Sequence, residues 1–376
     1  MPMNSYTTKA SISAKTKPKI NNIIRDTLVS FLATMSSKPY PQRKSFRHFL
    51  LKFHFLTVTT NFHHLYHLNM SKYDDILHNF INIDLSLVQD HLIEWYQLHH
   101  RKFPWRETTD AYPILVSEVM SQQTQLTRVV TAWEEFLSIW PSIELLANSH
   151  LSDVLKFWTT HRLGYNRRAR FLRETAIEIV HNFNGEIPNS LDSLQKLPGI
   201  GPYTANAIAS FAFNNGGPTL DTNVKRVIYR FFGPFENLSD IEQVANQIMP
   251  PNHSRIWNNA MMELGATICK PNPLCDLKSC PWRNHCNAYS NQEFSTPLSP
   301  RPPSFKGSTR QIRGEIINIL SKTDALPVPD LDSKLTSSMP PEYNSDLLSK
   351  LLHTLESEGL IQINKLKEPP TVQLHP

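Results

Sequence analysis

The sequence predicts an all-α body, two helical domains holding a helix–hairpin–helix and a cysteine-bearing loop, followed by a small C-terminal α+β unit. Three observations predict it. From about residue 84 to 290, apolar residues recur at spacings of three and four, as in DLSLVQDHLIEWYQLHH, ILVSEVMSQQTQLTRVVTAWEEFLSIW and LSDVLKFW, which places them on one face of an α-helix. Turn signals at Pro104, Pro141, Asn184-Gly185, Pro188 and Gly216-Gly217-Pro218 punctuate these runs, with no alternating strand–helix pattern between them. Beyond a Pro/Ser linker at 291–306, TRQIRGEIINIL and SDLLSKLLHTLESEGL read as helices, and LIQIN and TVQLH as strands around a KLKEPP turn. Helices ending in a β-hairpin suggest a winged helix over 307–376. A cap that touches no DNA is the other reading, and the two stand level.

Composition fits a globular protein with 40% hydrophobic and 19% charged residues. No run of about eighteen apolar residues marks a transmembrane helix, so no membrane partner is expected. The net charge of +5 is unevenly placed. Residues 1–69 hold ten Lys/Arg and a single acid, Asp26, leaving 28 basic and 32 acidic residues in 70–376. The body is therefore no polycation, and any nucleic acid must be held by local patches and backbone amides. The basic, Ser-rich extension 1–69 reads as a targeting segment, as a disordered basic arm, or as sequence upstream of a true start at Met70. Its apolar stripe, Ile20, Ile23, Ile24, Leu28, Phe31, Leu32 and Met35, suits a targeting helix.

Three constellations carry chemistry. In LPGIGPYTANAIASFAF (197–213), Gly199 and Gly201 flank Ile200 in a tight turn before a helix whose first turn includes Thr204. Such a turn presents bare backbone and unpaired amides to an anion such as a DNA phosphate, with Ile200 plugged into the core; an ordinary helix connection has the same look. Cys269, Cys275, Cys280 and Cys286, spaced by five, four and five residues, are the chain's only cysteines. Their clustering favours a metal centre over disulfides. Four thiolates suit either a [4Fe–4S] cluster or zinc, and the long, uneven loops favour the cluster. Lastly, Glu118 sits in the apolar run SEVMSQQT, where Val116, Val119 and Met120 would desolvate it and raise its pKa, as a general acid requires. Asp221, in TLDTNVKRV, would supply an ionised partner, the pairing used in glycosidic bond cleavage. Asp221 is equally a good helix N-cap, and Glu118 equally a surface residue of an amphipathic helix.

Taken in order, FPWRETTDAY, SEVMSQQTQ, LGYNRRAR, LPGIGPYTANAIA, LDTNVKRV, MMELGATIC and the cysteine loop resemble the MutY-type adenine DNA glycosylases of the endonuclease III, or helix–hairpin–helix, superfamily. The resemblance spans 103–290. It implies a six-helix domain over about 109–218 and an iron–sulfur domain from about 84–108 and 219–290. It implies that Glu118 protonates the purine at N7, that Asp221 stabilises the sugar cation, and that Asn223 orients Asp221. Tyr203 stands where bifunctional members place a Schiff-base lysine, so hydrolysis alone is implied, with Lys225 nearby as a candidate for weak lyase activity. Arg106 and Glu263 match residues that hold the flipped adenine. Gln123 and Tyr165 match side chains that fill the gap or probe the opposite base; Tyr165 is also readable as a core tyrosine.

Three departures stand out. Trp158 is followed by TTHRLGY, longer than the family pattern, with Arg162 where glycine is usual. The cysteine spacing differs from the family's, with a longer middle loop. Residues 291–376 are short and show no Nudix-box pattern, where full-length bacterial members carry a Nudix-like domain that reads 8-oxoguanine. The implied partner is double-stranded DNA with a mispaired base, bound by a monomer. The compartment is cytoplasm or nucleoid in a prokaryote, nucleus or mitochondrion in a eukaryote. Three functions compete: adenine excision opposite 8-oxoguanine or guanine, thymine or uracil excision from mismatches, and DNA binding without catalysis.

Overall fold

Short polar caps set where the helices begin. Asp84 opens α1 (Leu85–His99) by accepting from the Ser86 amide at 3.1 Å, and Asp110 opens α2 (Ala111–Ser121) by accepting from the Tyr112 amide at 3.0 Å. Next come α3 (Leu126–Ile139), α4 (Ile143–Ala147, capped by Ser142), α5 (Leu151–Thr160), α6 (Arg167–Asn182), α7 (Leu191–Leu194, capped by Ser190) and α8 (Pro202–Phe211). Then α9 (Thr222–Phe232, capped by Asp221), α10 (Leu238–Ile248), α11 (Ser254–Thr267) and α12 (Asn287–Ser290) complete the helical body. The computed structural model describes residues 84–235, 238–296, 304–337 and 343–376. The readings made for 1–69 and for a start at Met70 lie outside these residues. The chain divides into units 1–75 and 76–376, and all described residues belong to the second. No helix among them is long and apolar enough to cross a membrane.

The body has two cores. Helices α2 to α8 bury Met120, Val129, Phe136, Leu155, Trp158, Leu172 and Ile208 in one. In the other, α1, α9, α10 and α11 bury Leu92, Val227, Phe231, Ile248, Trp257 and Leu264 together with Trp282 of the cysteine loop. Trp282 also donates through Nε1 to the Val88 carbonyl at 2.9 Å, fastening that loop to α1. Trp158, Trp257 and Trp282 are almost wholly enclosed, so truncating any one to alanine costs about 3–5 kcal/mol.

The C-terminal segment runs α13 (Thr309–Leu320), β1 (Leu326–Pro327), α14 (Val328–Thr336), α15 (Ser345–Ser357), β2 (Ile361–Asn364) and β3 (Thr371–Leu374). The strands form an antiparallel sheet in the order β1-β3-β2, with Leu326 opposite Val372 and Ile361 opposite Leu374. The sequence reading missed α14 and β1, because Pro327 and Pro329 look like breakers. Proline in a first helical turn lacks only an amide that has no helical partner there, so α14 starts beside them. Ile316, Leu320, Leu331, Leu355 and Val372 belong to the same core as α2–α8, and α13 and β3 pack on α5.

Candidate active site

Glu118 projects from α2, whose other side chains from Ile114 to Met120 are buried. Loss of water raises its carboxyl to about 7; the charge of Asp221 adds to the rise and Arg106 opposes it. Asp221 caps a helix and keeps a second carboxylate oxygen for another partner. Its Oδ1 caps α9 by accepting from the Val224 amide at 2.6 Å, and its Oδ2 accepts from Asn223 Nδ2 at 3.0 Å. Asn223 in turn accepts from Arg226 Nη2 at 2.8 Å, and Arg226 donates to the Cys269 carbonyl at 2.7 Å through Nε. A chain of hydrogen bonds thus ties Asp221 to the start of the cysteine loop. Tyr203 comes from α8 and is 38% exposed. Burial, then the charges of Glu118 and Asp221, push its phenol above the usual tyrosine range, so it stays neutral.

Beside them, Glu263 of α11 is fully enclosed and held from two sides. Arg101 Nε donates to Oε1 at 2.7 Å, and Arg106 Nη2 to Oε2 at 2.9 Å. Burial alone would raise the Glu263 pKa; the Arg101 hydrogen bond and the Arg106 charge outweigh it and hold the carboxyl below its ordinary range. The Arg106 guanidinium also lies over the Phe103 ring at 4.9 Å, and Phe103 stacks on Trp105 with centroids 5.1 Å apart. The structure therefore joins Arg106 and Glu263, the two residues that the resemblance assigned to the flipped adenine. It adds Arg101, which no motif singled out.

The two hairpin glycines do different work. Gly199 has φ +71, and a Cβ there would stand 2.6 Å from Cβ of Phe171. Its role is packing against α6. Ile200 is buried, filling the hairpin core as read. Gly201 precedes α8 without a side-chain cap, and a Cβ on it would meet nothing within 4 Å; here the bare backbone faces open space. Thr204 lies in the first turn of α8. Its side chain is buried and its hydroxyl accepts from Gln122 Nε2 at 3.2 Å, so only its backbone amide is left for an anion. Gly199→Ala should lower thermal stability by about 1–3 kcal/mol through strain alone, with the Phe171 clash adding to it. Gly201→Ala should leave the melt within about 0.5 kcal/mol. Equal melting shifts for the two would refute the division.

Gln123 and Tyr165 are exposed, each in the left-handed region with φ 54 and 47; the core reading of Tyr165 is overturned. The lengthened TTHRLGY loop is absorbed by Arg162, which takes φ 51 where glycine was expected, and by Trp158, whose Nε1 donates to the Gly164 carbonyl at 2.7 Å. Arg168, singled out by no sequence argument, locks the two loops together. Its guanidinium donates to the carbonyls of Val119 at 2.7 Å and Leu163 at 2.6 Å, and to Thr124 Oγ1 at 3.2 Å.

Comparison with known proteins places this geometry. Residues 116–251 match the HhH-GPD superfamily of base excision DNA repair proteins. The chain is 36% identical over 242 residues to an adenine DNA glycosylase of Mycolicibacterium smegmatis, covering 63% of this chain and 81% of that one. It belongs to the adenine DNA glycosylase family. An adenine DNA glycosylase of Homo sapiens is 36% identical over 226 residues, 56% of this chain and 41% of the human one. In structure the chain is similar to a thermostable thymine-DNA glycosylase, with a TM-score of 0.51 and 28% identity, over 55% of this chain and 97% of that one.

Members of this family typically carry an iron–sulfur cluster. In this adenine DNA glycosylase relative all four cysteines are free thiols lining one pocket, walled by Phe231, Leu264, Trp282 and Arg230. Arg230 Nη1 approaches Cys269 Sγ at 3.6 Å, and Cys286 Sγ donates to the Arg230 carbonyl at 3.3 Å. Four convergent thiols in an apolar wall with one guanidinium fit an anionic thiolate centre. Among the described residues no set of three or more His, Cys, Asp or Glu side chains is arranged to hold a single metal ion.

Proposed function

We propose that the chain excises adenine mispaired with guanine or 8-oxoguanine from double-stranded DNA by hydrolysis, as a monomer, leaving an abasic site in an intact strand. The observation that carries this is a carboxyl poised at about 7 on Glu118, close enough to feel the charge of Asp221, with the neutral Tyr203 phenol within reach of both charges. Bases react only once extruded, at a cost of a few kcal/mol. The enclosed Glu263–Arg106 pair offers a carboxylate and a guanidinium to an extruded adenine, and Gln123 and Tyr165 occupy the space it leaves. Glu118 donates its proton to N7; the C1′–N9 bond breaks with its electron pair leaving on adenine. Asp221, oriented by Asn223 and the Val224 amide, faces the cationic sugar. Water then adds at C1′ and its proton passes to a carboxylate. Tyr203, in the position of a Schiff-base lysine, has no amine to attack C1′. The turn at Gly201 and the first amides of α8 suit a strand phosphate.

Cys269, Cys275, Cys280 and Cys286 would hold a [4Fe–4S] cluster, which supplies a scaffold for its loop. The strand order β1-β3-β2 with three helices supports the winged-helix reading of 307–376. Thymine or uracil excision is the second reading, favoured by the likeness to a thymine-DNA glycosylase.

The test incubates the purified protein with duplexes holding A:8-oxoguanine, A:G, T:G or U:G and cleaves abasic sites with alkali. Strand breaks at adenine, absent when alkali is withheld, are expected. Breaks confined to T:G and U:G would transfer the chain to the second reading, and binding without breaks would make it a non-catalytic relative. The same preparation should be brown; a colourless, zinc-containing protein would overturn the cluster.

A further inference from the structure

The carboxyl groups of the candidate site are divided between the two cores. Glu118 comes from α2, which helps build the first, and Asp221 opens α9 of the second. Residues 212–221 carry the chain from α8 to α9, so whatever fixes this stretch fixes where Asp221 stands relative to Glu118. The side-chain bonds of Asp221 run forward, to Asn223 and the Val224 amide; they orient the carboxylate within the second core and do not tie it to the first. The tie lies just before it. The Gly217 amide donates to Asn206 Oδ1 at 2.8 Å, and the Pro218 carbonyl accepts from Asn206 Nδ2 at 2.8 Å. From the other side, Asn258 Nδ2 donates to the Gly217 carbonyl at 2.9 Å, and Asn258 Oδ1 accepts from the Thr219 amide at 2.8 Å. Ser210 Oγ joins them, accepting from Asn258 Nδ2 at 3.0 Å and donating to the Gly217 carbonyl at 3.2 Å.

Asn206 and Ser210 belong to α8, which carries Tyr203, and Asn258 to α11, which carries Glu263. An irregular stretch inside a protein must find partners for its backbone groups. Here two side-chain amides, each a donor and an acceptor, supply what a neighbouring strand would supply in a sheet. Asn258 and Thr219 are 1% exposed, and an enclosed polar network whose bonds are met settles in one arrangement. We propose that Asn206 and Asn258 are positioning residues for the excision step: they clamp residues 217–219 between α8 and α11, and so hold Asp221 at a fixed reach from Glu118 and from C1′ of the extruded nucleotide. Neither touches the reacting atoms. The inference rests on the excision reading above.

Single-turnover excision of adenine opposite guanine is measured at saturating enzyme, and affinity is read separately on a duplex carrying 2′-fluoro-adenosine, which resists cleavage. Asn258→Ala and Asn206→Ala should each slow excision by about 10–100-fold, the cost of misplacing a reacting group by up to an ångström, with affinity unchanged. Asn206 is only half-buried and alanine suits a helix, so Asn206→Ala should melt close to wild type; it decides the test if Asn258→Ala does not fold. Arg255→Ala is the control for a merely structural effect. Arg255 also joins α11 to α8, but through the carbonyls of Phe211 at 2.6 Å and Ala212 at 2.7 Å, beyond the clamp. Its loss should lower the melting temperature and keep the wild-type rate. The pH profile adds a second readout. The charge of Asp221 helps to raise the Glu118 carboxyl and Arg106 opposes it, so an Asp221 that drifts away should move the alkaline limb of Asn206→Ala to lower pH. No adenine release by the wild type defeats the excision reading itself. Wild-type rates in Asn206→Ala and in folded Asn258→Ala, an equal slowing in Arg255→Ala, or a slowed Asn206→Ala whose alkaline limb stays in place overturns the clamp alone.

Discussion

Glu118→Gln is expected to slow adenine excision by about 10²–10⁴-fold, the usual contribution of a positioned general acid. The amide keeps the shape of the side chain and loses the proton. The pH profile supplies the sharper check. With its carboxyl raised to about 7, wild-type excision should fall roughly tenfold per unit as pH rises past that value, while the residual rate of the variant should not follow. Stability should fall with rising pH as well. A folded pKa above the ordinary 4.5 means that the protonated form is favoured in the folded state. The stabilisation is complete below about 4.5 and is lost as pH rises through about 7. Glutamine carries no such liability, so at pH 8 the variant should be the more stable protein, by on the order of 1–3 kcal/mol. Parallel melting curves for the two proteins from pH 5 to 8, or a wild-type rate flat from pH 6 to 9, would remove Glu118 as the acid.

The second large effect is structural first and catalytic second. Glu263 is 0% exposed and balances two guanidinium groups, one of them on the nearly buried Arg106. Glu263→Ala strands both, and breaking a buried pair from one side costs about 3–5 kcal/mol, which for a chain of this size lowers the melting temperature by on the order of 10 °C. Glu263→Gln keeps one acceptor and the side-chain volume, so it should cost about 1–3 kcal/mol. Arg101→Ala should cost less than Glu263→Ala, because Arg101 is 44% exposed and water can replace its contacts. A melt for Glu263→Ala within 1 kcal/mol of wild type would show that the pair contributes little to the fold. Excision by Glu263→Gln, read alongside, separates the hold on adenine from the hold on the fold.

Much of the site was legible because its signals are local. A carboxyl inside an apolar helical run announces Glu118; an Asp before a helix announces both a cap and a candidate partner; four cysteines within one short loop announce a thiolate centre. What escaped is non-local. Arg101 and Glu263 lie far apart in the chain, and neither neighbourhood hints at the other. Arg168 looks like any cation in a basic helix, yet its guanidinium is spent on carbonyls of two loops. The motif put Thr204 in the first turn of a helix without fixing its side chain, and the fold turns its hydroxyl inward to Gln122. The helix α14 was hidden by prolines that mark its beginning.

The chain's own pattern therefore determined the all-α body, the hairpin with Ile200 as its plug, the four-thiol loop and the strands that end the chain, since periodicity, turns and caps act within a few residues. Only the tertiary structure decided which charges meet. The raised Glu118 carboxyl comes first from enclosure by packed helices and then from the charge of Asp221, brought in from the start of another helix. Arg310 reaches the Tyr165 hydroxyl only because the C-terminal segment docks on α5 and α6. Electrostatics and enclosure act through space at a few ångströms, and sequence records only the order in which the groups are strung.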